Sequence, residues 1–168
     1  MDLAVPEGLS SLSAEECGLC HEEIYEEWKS SIMAQAWTDP YFQADFVWDN
    51  SMQVCKNCHT PLVNQQEHLV LGFNDKAKLN PILEPNPNYD PSLQNEGVTC
   101  AVCHVEDGVI LGPFDLQTEA HPTRKDSRFT DGRSVCKKCH WVKGDRWDMF
   151  LKLPLRRNQR DGQKGELR

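Results

Sequence analysis

Long apolar runs are missing from this 168-residue chain. No stretch approaches the roughly 20 residues that cross a bilayer as a helix, and residues 1–12 lack the charged start and apolar run of a secretion signal. Positive charge is in deficit, with 18 Lys and Arg against 26 Asp and Glu, and the formal net charge of −8 excludes a generic nucleic-acid binder. Histidine is scarce, at six residues. A spare thiol is absent altogether: the 8 cysteines fall into four pairs of one spacing, so none is left over for a disulfide framework.

What is present is one pattern, repeated. Cys17, Cys20 and His21 form a C-x-x-C-H run, and it returns as Cys55, Cys58 and His59, as Cys100, Cys103 and His104, and as Cys136, Cys139 and His140. In such a run two thiols add to the vinyl groups of a haem, and the next residue supplies its imidazole to the iron. Paired C-x-x-C knuckles also close tetrahedral zinc sites, but zinc does not require the fifth residue, and so rare a residue would not follow all four pairs by chance. A thioredoxin-like pair would occur once, at a strand-to-helix turn. The pattern therefore predicts four covalently attached haem c groups.

Four haems leave about 42 residues for each, too few for a separate protein core, so the macrocycles must serve as the core. The expected fold is mainly α with long loops and little β, one compact multihaem domain over residues 1–168 with a leader at 1–12 and a basic tail at 155–168. Charge is uneven along it. Glu15, Glu16, Glu22, Glu23, Glu26 and Glu27 crowd the start, and Lys152, Arg156, Arg157, Arg160, Lys164 and Arg168 make the end basic. These are either solvated faces or docking surfaces of opposite sign.

In chain order, Pro6 and Gly8 oppose helix in the leader. Ser13 and Glu16 read as a capping box opening one helix that runs to Asp39 and Pro40, with Ile24, Trp28 and Ile32 as its apolar stripe. A second helix is expected from Pro40 to Val54, with Tyr41, Phe42, Phe46 and Trp48 against porphyrin. Asn64 to Leu71 suggests a helical turn carrying His68. The prolines and asparagines between Gly72 and Asn95 predict a long loop. Val105 to Phe114 predicts a hairpin turning at Asp107 and Gly108. A final helix follows the fourth motif through Trp141, Trp147, Met149, Phe150 and Leu151 and ends before Pro154.

Four irons need four further ligands if all are closed electron-transfer centres, and only His68 and His121 remain as histidines. Met33, Met52 and Met149 are the thioether candidates. Thioether ligation favours ferrous iron and raises the potential, so a His/Met haem would collect electrons.

The surroundings of the motifs resemble the cytochrome c-554 and hydroxylamine oxidoreductase superfamily of multihaem cytochromes. The likeness lies in Cys17 to Trp28 with its Ile24-Tyr25-Glu26-Glu27-Trp28 continuation, in Cys58-His59-Thr60-Pro61-Leu62, in Gly97-Val98-Thr99-Cys100 and in Ala120-His121-Pro122. Members carry a distal histidine further along the first helix, where this chain has Met33, and the resemblance thereby singles out Met33 among the methionines. On a continuous helix Met33 would stand about 18 Å beyond His21 and serve a neighbouring haem. The resemblance implies a tetrahaem relay between a donor and an acceptor redox protein, without a substrate of its own. Its rivals are a subunit of an extracellular haem filament or membrane-associated complex, which includes self-association, and an enzyme of nitrogen-oxide chemistry with a five-coordinate haem. Haem attachment to such motifs outside the cytoplasmic membrane implies a periplasmic or extracellular protein whose signal or anchor lies outside the numbered chain.

The first prediction follows from the motifs alone. The denatured protein should have an intact mass four haems above the 19.2 kDa polypeptide, and a mass equal to the bare chain would overturn the reading.

Overall fold

A computed structural model of the chain describes residues 1–130 and 134–140. The chain divides into two compact units, Met1–Lys125 and Asp126–Arg168. The Trp141 to Leu151 helix, Met149 and the basic tail lie outside the described residues.

The first unit opens with two short helices, α1 (Ala14–Gly18) and α2 (Glu22–Lys29), where one continuous helix was expected. The motif itself makes the break. His21 leaves helical geometry at φ −106° and ψ 52°, so α2 starts afresh behind it. Ser13 caps α1 as predicted, accepting from Glu15 N, but the reciprocal bond of a capping box is replaced. Glu16 turns back to accept from the backbone and hydroxyl of Ser10, both at 2.8 Å. Glu96, far along the chain, accepts instead from Ser13 Oγ at 2.5 Å and Ala14 N at 2.8 Å. A carboxylate at these free N–H groups satisfies donors that a helix start leaves unpaired.

Helix α3 (Pro40–Trp48) begins on Asp39, whose carboxylate accepts from Phe42 N, with Pro40 in the first turn. The expected helix to Val54 stops early because Asn50 and Ser51 both take positive φ, at 55° and 54°. A separate helix, α4 (Gln53–His59), then carries the second motif. Trp37, Phe42 and Phe46 pack as a cluster with ring centroids 5.4–5.8 Å apart.

Residues 63–95 depart furthest from expectation. Val63–Gln65 form a single 3-10 turn, and His68 opens strand β1 (His68–Phe73), which pairs antiparallel with β2 (Pro81–Pro85). The prolines did not prevent a sheet, because both sit at the ends of a two-stranded edge, opposite Phe73 and His68. Asp75 closes the connecting loop by accepting from Leu79 N and Asn80 N. Helix α5 (Pro91–Asn95) follows, capped by Asp90. The unit is thus mixed α and β, with two small sheets, where a mainly α chain was expected.

Helix α6 (Cys100–His104) leads directly into β3 (Val105–Glu106) and β4 (Val109–Gly112). The predicted hairpin is present, turning through Asp107 and Gly108 at φ 53° and 70°, the left-handed pair that a two-residue turn requires. A further strand, β5 (Thr123–Lys125), runs parallel to β4 and sets His121 and Pro122 beside it, Ile110 N donating to Pro122 O at 2.9 Å. The second unit contains a 3-10 turn at Ser127–Phe129 and helix α7 (Lys137–His140).

The buried apolar cluster is small, as the length implied: Leu12, Leu62, Leu93, Ala101, Val102 and Val105, with Leu3, Val98 and Ile110 against it. Leu3 and Leu12 show that the leader is packed into the unit. Gly8, at φ +88°, lets the leader pass where a Cβ would fall 2.0 Å from Ala120 O. At the centre lies a fully buried glutamine. Gln65 Oε1 accepts from Leu62 N at 2.9 Å, and its Nε2 donates to Leu93 O at 2.9 Å and Gly97 O at 2.6 Å. That one amide ties the end of the second motif to the approach of the third. Replacing Gln65 by Leu leaves Leu62 N and Gly97 O unpaired, while Leu93 O keeps its bond from Glu96 N, and should cost about 2–3 kcal/mol, read as a lower denaturant midpoint with an unchanged slope.

Candidate functional site

A haem-binding histidine must be neutral, and its second ring nitrogen must be held so that the first can face iron. His59 satisfies both demands. Its Nδ1 lies 2.5 Å from Ala36 O, and burial lowers its pKa, favouring the neutral ring. Phe42 stacks on the same imidazole at 3.6 Å between centroids and 7° between planes. His104 repeats the backbone device, with Nδ1 2.8 Å from Leu111 O on β4. Two carbonyls thus leave Nε2 as the coordinating atom at motifs two and three. In the second unit His140 Nδ1 is buried and has no hydrogen-bond partner among the described residues.

All eight cysteines are described, and none forms a disulfide. The neighbouring thiols of Cys17 and Cys100 influence one another: Cys100 pulls the Cys17 thiol below its ordinary pKa, and Cys17, with burial, pushes Cys100 up. The helices that carry the first and third motifs, α1 and α6, lie side by side. Burial raises the Cys55 thiol. Glu96 stands beside this pair, and burial pushes its carboxyl above its ordinary value although Ser13 and Ala14 donate to it. Side-chain thiols, imidazoles and exposed apolar groups such as Leu19, Ile24 and Ile32 form a donor set and surface that fit covalent haem. When bound, haem supplies one-electron chemistry at iron.

The segment between α2 and α3 reaches all three motifs of the first unit. It is joined to the first motif through α2, and Ala36 O holds the ring of the second. Val98 N, two residues before Cys100, donates to Met33 O at 2.9 Å. Trp28 Nε1 donates to Val98 O at 2.8 Å, pinning the same junction. Gly97 at φ +62° makes the approach possible, since a Cβ there would meet Met33 O at 2.8 Å. Met33 is thus placed beside the third motif by turns, and the 18 Å helical separation from His21 does not apply because α2 ends at Lys29. Its side chain is half exposed.

The remaining candidates are dispersed. His121 has a buried Nδ1 with no hydrogen-bond partner among the described residues, an arrangement a ligand bond would resolve. His68 and Met52 line one cavity of about 480 Å³ with Asp49, Gln53, Lys56 and Leu83. Among the aromatics expected on porphyrin, Phe42 instead meets an imidazole and Phe46 is buried, while Tyr41 and Trp48 stand exposed. The sequence carried no signal for the roles of Ala36, Gln65 or Glu96, whose partners come from distant parts of the chain.

Repeated thiol pairs, each followed by an imidazole, with two of those rings anchored through Nδ1, define a haem-attachment scaffold of the c type. Residues 16–80 match the family described as Cytochrome c554 and c-prime, a stretch that contains the first two motifs and Met33. The match implies a c-type cytochrome that carries out electron transfer with covalent haem c outside the cytoplasm. No curated protein and no solved structure matches the chain. No helix among the described residues is long and apolar enough to cross a membrane.

His121→Ala tests the orphaned nitrogen. One low-spin haem should become high-spin in the oxidised absorption spectrum, and an unchanged spectrum would show that His121 is not a ligand.

Proposed function

We propose that this chain is a tetrahaem c-type cytochrome that relays single electrons between a donor and an acceptor redox protein and has no substrate of its own. The observation that carries the reading is the fourfold C-x-x-C-H run that uses every cysteine. His21, His59, His104 and His140 bind the four irons on one side. His121, His68, Met33 and Met149 supply ligands on the other. Residues 1–168 act as one electron-transfer domain, periplasmic or extracellular.

The neighbouring thiols of Cys17 and Cys100 support a close pair formed by the haems of motifs one and three, and close spacing favours rapid transfer. The bond from Val98 N to Met33 O supports Met33 as the ligand of the third iron, leaving the first motif on the same stretch of chain to hold its own haem. Anchored proximal rings suit a relay, because a rigid site has little to reorganise when the charge on iron changes.

The test is electron paramagnetic resonance of the oxidised protein together with carbon monoxide binding to the reduced protein. A relay should show closed, low-spin haems and bind no carbon monoxide at neutral pH. A high-spin signal that disappears when a ligand binds would replace the relay with the five-coordinate, catalytic alternative. Met33→His should lower the potential of one haem and leave the spin state of the others unchanged; four unshifted centres in a redox titration would remove Met33 from the ligand set.

A further inference from the structure

The imidazole of His59 is held by two unrelated contacts, one at its edge and one on its face. Ala36 O fixes where Nδ1 points, at 2.5 Å. A hydrogen bond at one atom still leaves the ring free to rock about the line through that atom. Phe42 removes this freedom, because its ring lies within 7° of parallel at 3.6 Å between centroids. Phe42 is itself held by Phe46 and Trp37, at 5.6 Å and 5.8 Å. Gln43, the next residue of α3, donates from Nε2 to Trp37 O at 2.5 Å, which fixes the segment that also presents Ala36 O. Both halves of the clamp therefore belong to one rigid piece, residues 36–46. Asp39 starts the helix in this piece by accepting from Phe42 N at 2.8 Å.

From this geometry we infer that Phe42 is a positioning residue that locks the plane of the His59 imidazole and so sets the electronic properties of the haem at the second motif. The inference rests on the reading of His59 as an iron ligand. The orientation of an axial imidazole determines how its π orbitals meet those of iron, and the strength of its Nδ1 bond determines how basic the ligand is. The flat ring also keeps water from the face of the imidazole, which protects the bond to Ala36 O. His104 has the carbonyl contact as well.

The test uses the haem-loaded protein and three variants. Peptide mapping first establishes that haem is attached at Cys55 and Cys58; its absence there would overturn the functional reading itself, independently of Phe42. Phe42→Leu keeps apolar volume and removes the flat face. It should broaden or move one component of the oxidised paramagnetic resonance spectrum and shift one redox centre upward, whereas Phe42→Tyr should preserve both. Leu93→Ala in the separate buried cluster is the structural control, and it should lower thermal stability while leaving the spectrum unchanged. An unchanged spectrum in Phe42→Leu, or the same change in Leu93→Ala, would overturn the proposal. The unmodified reduced protein supplies a check that needs no variant: His59 and Phe42 ring protons should show mutual nuclear Overhauser contacts, and their absence would also overturn it.

Discussion

The bond from an imidazole Nδ1 to a backbone carbonyl is the constraint around which the first unit is arranged. A coordinating ring cannot be left to rotate, and a buried ring N–H must find an acceptor. For His104 the acceptor is local, Leu111 O on the hairpin that follows its own helix, so the third motif is orientated by the chain just after it. For His59 the acceptor is Ala36 O, on a segment before the motif. That second choice makes residues 31–38 structurally indispensable, since the same turns also receive Val98 N at Met33 O.

Few apolar side chains are available to hold such an arrangement, and buried polar side chains make up the difference. Gln65 links three backbone groups, Asn86 donates to Val63 O and Gln66 O at 2.8 Å each, and Glu96 joins α5 to the start of α1. Each works because its hydrogen-bonding atoms are met by backbone; a buried polar side chain lacking partners would cost more than it stabilises. Glu96 shows the tension most clearly. Burial opposes its ionisation, and the two donors at the start of α1 favour it. It also lies beside the thiols of Cys17 and Cys100, so a charge at this position is felt by both.

The thiol pairs and their adjacent imidazoles were legible in the residues themselves, because a C-x-x-C-H run is a local pattern over five positions. The Asp107-Gly108 hairpin was equally legible, since its turn demands left-handed backbone at two neighbouring residues. Local signals misled where two tendencies competed. Pro81 and Pro85 argued against regular structure, yet an edge strand tolerates proline at its ends, and β1 and β2 pair. Uninterrupted helix-forming residues argued for one long helix after Ser13, yet His21 departs from helical geometry. The parallel strand β5 had no local signal at all.

The sequence by itself determined the number and place of the thiol pairs, the identity of the adjacent imidazoles, the acidic character and the lack of a membrane-spanning run, because these depend on residue type and short spacing. Only the tertiary structure decided which carbonyl holds which imidazole, that Phe42 faces His59, that α1 lies beside α6, and that Met33 lies beside the third motif. Those relations join residues separated by many positions, and their energies exist only once loops have closed and brought the partners together. The physical reason is that covalent reactivity is a property of a few consecutive residues, whereas orientation in space is a property of the folded chain.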